Sequence, residues 1–215
     1  MRIMKAEVYR CEARSLEAFI QQLAVSHVAR GYWWYVTGWI PERKVPEEID
    51  AKLIEKYGIG ISKQARSRRK ARGLANMHYL RLGRFFVLIA TRGAHEFRII
   101  EADSICDIRR EPIVHGGYSV GFRGGHASVR IARREYKDLR LYFEDIACQK
   151  SNDELSAEFN SLPFAMYAPV RRQVLNLRAA VNRRRKESNL RLLPAEAINL
   201  SRRNIPVFVE EREAA

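Results

Sequence analysis

The dipeptide Gly124-Gly125 constrains this chain more than any other feature. Two alternating runs, 117–123 and 126–132, flank it. A two-residue turn with positive φ at both central positions joins antiparallel strands without splaying them, and glycine adopts that conformation at little steric cost. Centring the turn there sets Arg123 opposite His126, Phe122 opposite Ala127, Val120 opposite Val129 and Tyr118 opposite Ile131. One face then reads Tyr118, Val120, Phe122, Ala127, Val129 and Ile131, all apolar. The other reads Ser119, Gly121, Arg123, His126, Ser128 and Arg130, which is small and cationic. A slip of one residue would destroy this agreement, so the register is specified.

The rest of the pattern surrounds such a hairpin with helices. Apolar spacing predicts a helix over 15–27, capped by Ser15 and ended by Gly31, then an aromatic strand over 32–40. A helix over 47–57 enters through Pro46. A basic helix over 62–74, capped by Ser62 and stopped by Gly73, follows it. Segments 77–81 and 85–91 read as a second hairpin around Leu82-Gly83, with a further strand over 97–101. From Glu135 the chain turns helical: Tyr136, Leu139, Phe143 and Ile146 form one seam. A short helix capped by Asn152 runs to Leu162. Pro169 opens a long helix to about Ser188, with Val170, Val174, Leu177 and Val181 as its buried stripe and Asn189 as its cap. The expected fold is therefore α+β. A central antiparallel sheet, with hairpins near 77–91 and 117–132, is flanked by helices. The division is a core domain over 1–150 and a helical C-terminal subdomain over 151–215 packed on it, or one compact domain.

Charge narrows the function. Lys and Arg number 39 against 25 acids, a net +14, while hydrophobic residues make up 47%. That excess argues against a neutral metabolic enzyme, and the apolar content argues against a disordered basic tail. No apolar run reaches the roughly 18–20 residues that span a bilayer. The first residues lack the apolar core of a secretion signal. Cys11, Cys106 and Cys148 are odd in number and widely spaced, which reads as reduced, mostly buried thiols in the cytoplasm.

The candidate binding residues follow from the charge. Six cations, Lys63, Arg66, Arg68, Arg69, Lys70 and Arg72, fall within ten residues without an acid. Like charges on adjacent helical turns repel, so such a helix gains most beside a polyanion. Arg171, Arg178 and Arg185, seven residues apart, suggest a second phosphate track on the long helix, extended by Arg183. Arg123 and Arg130 add charge on the hairpin's outer face. Tyr32, Trp33, Trp34, Tyr35 and Trp39 crowd one strand, either as packing or as a stacking surface for bases.

The expectation is a nucleic-acid-binding protein dominated by phosphate contacts. It would be an accessory factor of a mobile-element, replication or RNA-guided system, working within a larger nucleoprotein complex, with no membrane partner and no cofactor. A structural ribonucleoprotein subunit is one alternative. The other is a metal-dependent nuclease or strand-transfer enzyme, which would use His78, His95, Glu96 and Tyr136 with a divalent metal. The layout suggests a strand-borne histidine pair with a helical tyrosine nucleophile, but neither His78 nor His95 has a second histidine two residues on. Glu101, Asp103 and Asp107 form a further acidic group, and Arg109 and Arg110 are on hand to neutralise it. The expectation leans away from catalysis, with no catalytic or metal-binding residue assigned.

Overall fold

The computed structural model describes residues 9–208. The opening residues read for a secretion signal, and the tail beyond 208, lie outside it. The described residues form seven α-helices and two antiparallel sheets, of four and three strands, an α+β architecture. The chain divides into two compact units. The first holds the chain up to Pro112, with Gly121–Ala127 and the segment from Ile205; the second holds Ile113–Val120 and Ser128–Asn204. Residue 150, the expected division, falls inside the second unit.

In the first unit, Ser15 caps α1 (Leu16–Gln21), its Oγ accepting from the Ala18 N–H at 3.2 Å. The predicted helix over 15–27 does not stay α. It passes into a π-helical segment, Gln22–His27, and a 3-10 turn, Val28–Arg30, before Gly31 ends it at φ 90°. Strand β1 (Trp34–Trp39) follows, then α2 (Pro46–Lys56) and α3 (Lys63–Ala71). The hairpin β2 (Met77–Leu82) and β3 (Phe85–Ala90) turns through Gly83-Arg84, one residue later than expected. Strand order is β2-β3-β1-β4, where β4 is only Cys106–Asp107.

Both faces of this sheet are covered. Met77, Tyr79, Leu88 and Ala90 pack with Tyr57, Ile59, Phe97 and the α2 side chains Leu53 and Ile54. On the opposite face Phe19 of α1 meets the Phe85 ring edge-on at 5.9 Å. Double coverage explains the unbroken apolar run of β3. Burial of Arg81, 2% exposed, is tolerated because its guanidinium reaches Asp50 (3.0 Å) and Glu12 (3.0 Å), while Tyr79 donates to Asp50 at 2.6 Å.

The expected strand over 97–101 is instead a short helix, α4 (Phe97–Ile100). His95 Nδ1 accepts the Phe97 N–H at 3.1 Å and starts the turn. Only Phe97 is buried, whereas Ile99 is 81% exposed, so the Ile-Ile pair marks no core strand. The free edge of β1 goes to β4, which pairs Asp107 with Trp34.

The second sheet is β5 (Ile113–His115), β6 (Tyr118–Arg123) and β7 (His126–Ile131). Gly124 and Gly125 take φ 56° and 82°, and the strands end and begin where the alternation required. Tyr118, Val120, Val129 and Ile131 are buried. The other face is less open than its polarity implied: Ser128 is buried, and a side chain at Gly121 would meet Pro112. Helices α5 (Arg133–Ile146), α6 (Asn152–Asn160) and α7 (Ala168–Glu187) complete the second unit. Ser151, not Asn152, caps α6, in a reciprocal box with Glu154. Phe143 stacks on Phe159 at 4.1 Å, and Val170, Val174, Leu177 and Val181 are fully buried. Of the cysteines only Cys11 is buried, Cys148 being exposed. No helix among the described residues is long and apolar enough to cross a membrane.

Candidate nucleic-acid interface

Helix α3 forms as the sequence required. Ser62 Oγ accepts from the Ala65 N–H at 3.2 Å, and Gly73 turns the chain out at φ 72°. Arg68, Arg69 and Lys70 lie in its last turn, where the carbonyl end of the helix dipole offsets part of their mutual repulsion. No residue of α3 is buried. Its fastenings are polar: Asn76 donates to the Arg66 carbonyl at 3.0 Å, and Arg69 Nε donates to the Ala75 carbonyl at 3.2 Å.

The six cations thus divide. Arg66 and Arg69 are half-buried and turned toward the fold, while Lys63, Arg68, Lys70 and Arg72 are exposed. Among the described residues none of the six forms an ion pair with a carboxylate. Four cations of α3 are therefore exposed with no carboxylate partner among the described residues.

Beside it lies an open groove of about 780 Å³, lined by Tyr57, Arg69, Leu74, His95, Arg98 and Ile99 among others. Lys56 sits over the Tyr57 ring at 4.7 Å and pairs with Glu101 at 3.7 Å; the Tyr57 hydroxyl also bonds Glu101. Burial, and then the nearby Arg69 charge, lowers the pKa of His95. Arg98 lies over Trp34 at 4.3 Å. Arg109 is gripped by both oxygens of Asp107, at 2.9 and 2.6 Å, and its guanidinium sits 4.5 Å from the Trp33 ring and 5.3 Å from Trp34. The aromatic strand is neither all core nor all platform. Tyr32 and Tyr35 are buried, Trp33 and Trp34 are half-buried beneath arginines, and Trp39 is 68% exposed.

His78 belongs to a different environment. It points to the α1 side of the sheet, its ring 4.4 Å from that of His27, with Tyr9 Oη at 3.0 Å from its Nδ1. Desolvation first, then the Arg66 and Arg30 charges, push its pKa down to about 4; His27 is driven well below the usual value by burial and by His78. Both imidazoles are neutral at pH 7. His78 and His95 therefore do not share a site, Glu96 lines the groove with His95, and Tyr136 is a half-buried residue of α5 in the other unit. Among the described residues no three His, Cys, Asp or Glu side chains converge as metal ligands would. Glu101 and Asp107 are engaged with Tyr57, Lys56 and Arg109, and Asp103 is exposed.

The second track on α7 is corrected. Arg171 and Arg183 are exposed, but Arg178 is half-buried and donates to the Leu193 carbonyl at 2.9 Å. Arg185, 5% exposed, donates to the carbonyls of Arg191, Ala147 and Lys150 at 2.7, 2.7 and 2.8 Å. A seven-residue step falls about 20° short of two full turns, so the row drifts toward the apolar stripe as it ascends. Arg123 and Arg130 are exposed on β6 and β7. Sequence reasoning missed Arg98 and Arg109, whose pairing with Trp33 and Trp34 exists only once β1, β4 and α4 are in place.

No protein-family model matches the chain, and no curated protein is significantly similar to it.

Proposed function

We propose that this protein binds nucleic acid through phosphates, with the exposed face of α3 as its principal contact surface. The observation that carries this reading is the acid-free helix itself: four exposed cations, no ion pair and no buried residue. Nothing in the first unit's packing needs those four charges, whereas a polyphosphate neutralises all of them. Arg123, in the same unit, is also exposed. In this reading the protein serves as a non-catalytic, cytoplasmic accessory factor within a nucleoprotein assembly of a mobile-element, replication or RNA-guided kind. The test is binding of a labelled oligonucleotide across a salt series. Four neutralised phosphates give a log–log slope of magnitude about 3 to 4. A flat salt dependence overturns the reading.

A further inference from the structure

Resting on that reading, we propose that the first unit carries a track for a single strand, running from α3 across the groove to the stack of Trp34, Arg109 and Trp33. The continuity comes from shared residues. Arg69 of α3 lines the groove; Arg98 lines the same groove and also covers Trp34 at 4.3 Å. Arg109 lies over both Trp33 and Trp34, whose rings are 6.2 Å apart, and the Trp33 ring is 5.1 Å from that of Phe122. The cations Arg69 and Arg98 and the flat surfaces of Trp34 and Trp33 thus lie along one path.

The chemistry selects an unpaired strand. A duplex offers phosphates and base edges but hides its base faces. The groove beside α3 has apolar walls at Leu74, Ala94 and Ile99, and Ile99 is 81% exposed. Apolar walls next to a phosphate platform suit an unstacked base, and stacking on aromatics is tolerant of sequence because every base has a π-face.

The two arginines of the stack have different duties. Arg109 is held by Asp107 at both oxygens, so its charge is already matched and it acts as a rigid cap over the two indoles. Arg98 has no carboxylate partner among the described residues; its Nε donates only to the Gly93 carbonyl at 3.1 Å. It is the residue free to exchange the Trp34 face for a phosphate while a base takes its place on the indole. Either sugar suits this scheme, since neither the groove nor the stack relies on a 2′-hydroxyl.

The experiment compares 12-nucleotide oligo-dT and oligo-U with a 12-base-pair duplex at one salt concentration, by anisotropy and by tryptophan fluorescence. The single strands should bind roughly tenfold tighter than the duplex and quench the fluorescence. Inorganic polyphosphate, which lacks bases, should bind without quenching. Trp34→Leu should weaken single-strand binding about 5- to 150-fold, the range of one lost base stack. Because Trp34 also touches the core, Arg98→Gln is the second variant; it should cost single-strand affinity by a larger factor than duplex affinity. Equal affinity for duplex and single strand, or intact single-strand binding in Arg98→Gln and a folded Trp34→Leu, overturns the track but leaves the α3 reading standing. Failure of every polynucleotide to bind at low salt overturns that reading, and the track with it.

Discussion

The division of the α3 cations supplies a paired perturbation with calculable size. Replacing Lys63, Arg68, Lys70 and Arg72 together with Gln removes four charges that touch nothing acidic and bury nothing. Each neutralised phosphate adds about 0.7 to 0.9 to the log–log salt slope, which at 0.1 M salt corresponds to a similar number of decades in affinity. If all four cations engage phosphates, the fourfold variant therefore lowers the slope by about 3 and the affinity by up to about a thousandfold. If only two do, the slope changes by half as much and the affinity falls by about the square root of that factor. Stability should hold within about 0.5 kcal/mol, as for most surface substitutions. Replacing Arg69 should behave oppositely. Its Nε bond to the Ala75 carbonyl ties α3 to the fold, and losing a charge-assisted bond of this kind costs about 1.5 to 3 kcal/mol. Anisotropy titrations at 50 to 300 mM salt, alongside urea melts, separate the two effects. The assignment of α3 is refuted if the fourfold variant keeps the wild-type slope, or if it melts early while Arg69→Gln does not.

Two further outcomes are expected. Arg185→Leu should destabilise the second unit by about 3 to 5 kcal/mol, because three carbonyls lose their donor, and should leave the salt slope of binding unchanged; a near-native melt would show that those bonds carry no weight. Acid should weaken the first unit through its histidines. The unfolded chain takes up protons as pH falls through about 6.5, whereas His78 in the fold does so only near 4. Stability therefore declines from pH 6.5 toward 4, by about 3 kcal/mol from His78 alone, with His27 acting in the same direction. Urea melts at pH 7 and 4.5 test this, and equal stability at both refutes it.

What the sequence made legible was whatever local chemistry decides. Ser62 and Gly73 bracket α3, Gly124-Gly125 turns the second hairpin, and the four-residue apolar stripe of α7 is buried throughout. Long-range partners stayed hidden. Arg185 lies beside that stripe, and its burial is tolerable because the Arg191 carbonyl and, from a distant stretch of chain, those of Ala147 and Lys150 accept its N–H groups. The Ile99-Ile100 pair looked like strand because β-branched residues favour strands, yet the edge it would have joined was taken by the two-residue β4, too short to leave a periodic signal. His78, His95 and Tyr136 suggested a site by residue type alone; alternation along β2 turned His78 to the sheet face opposite the one that packs Tyr57 and Phe97.

The polar fastening of α3 has a thermodynamic consequence. An element anchored by core side chains opens only when the core does, whereas one anchored by a few hydrogen bonds has its own, smaller opening free energy. With no buried residue, α3 stands at that low end, and like charges along it lower the cost further. Hydrogen exchange in the 63–71 amides would then proceed by local opening, independent of denaturant, while Tyr79 and Leu88 exchange only on global unfolding. The exposed charges of the helix, at Lys63, Arg68, Lys70 and Arg72, can therefore change without drawing on the free energy that holds the sheet together, whereas Arg69 cannot.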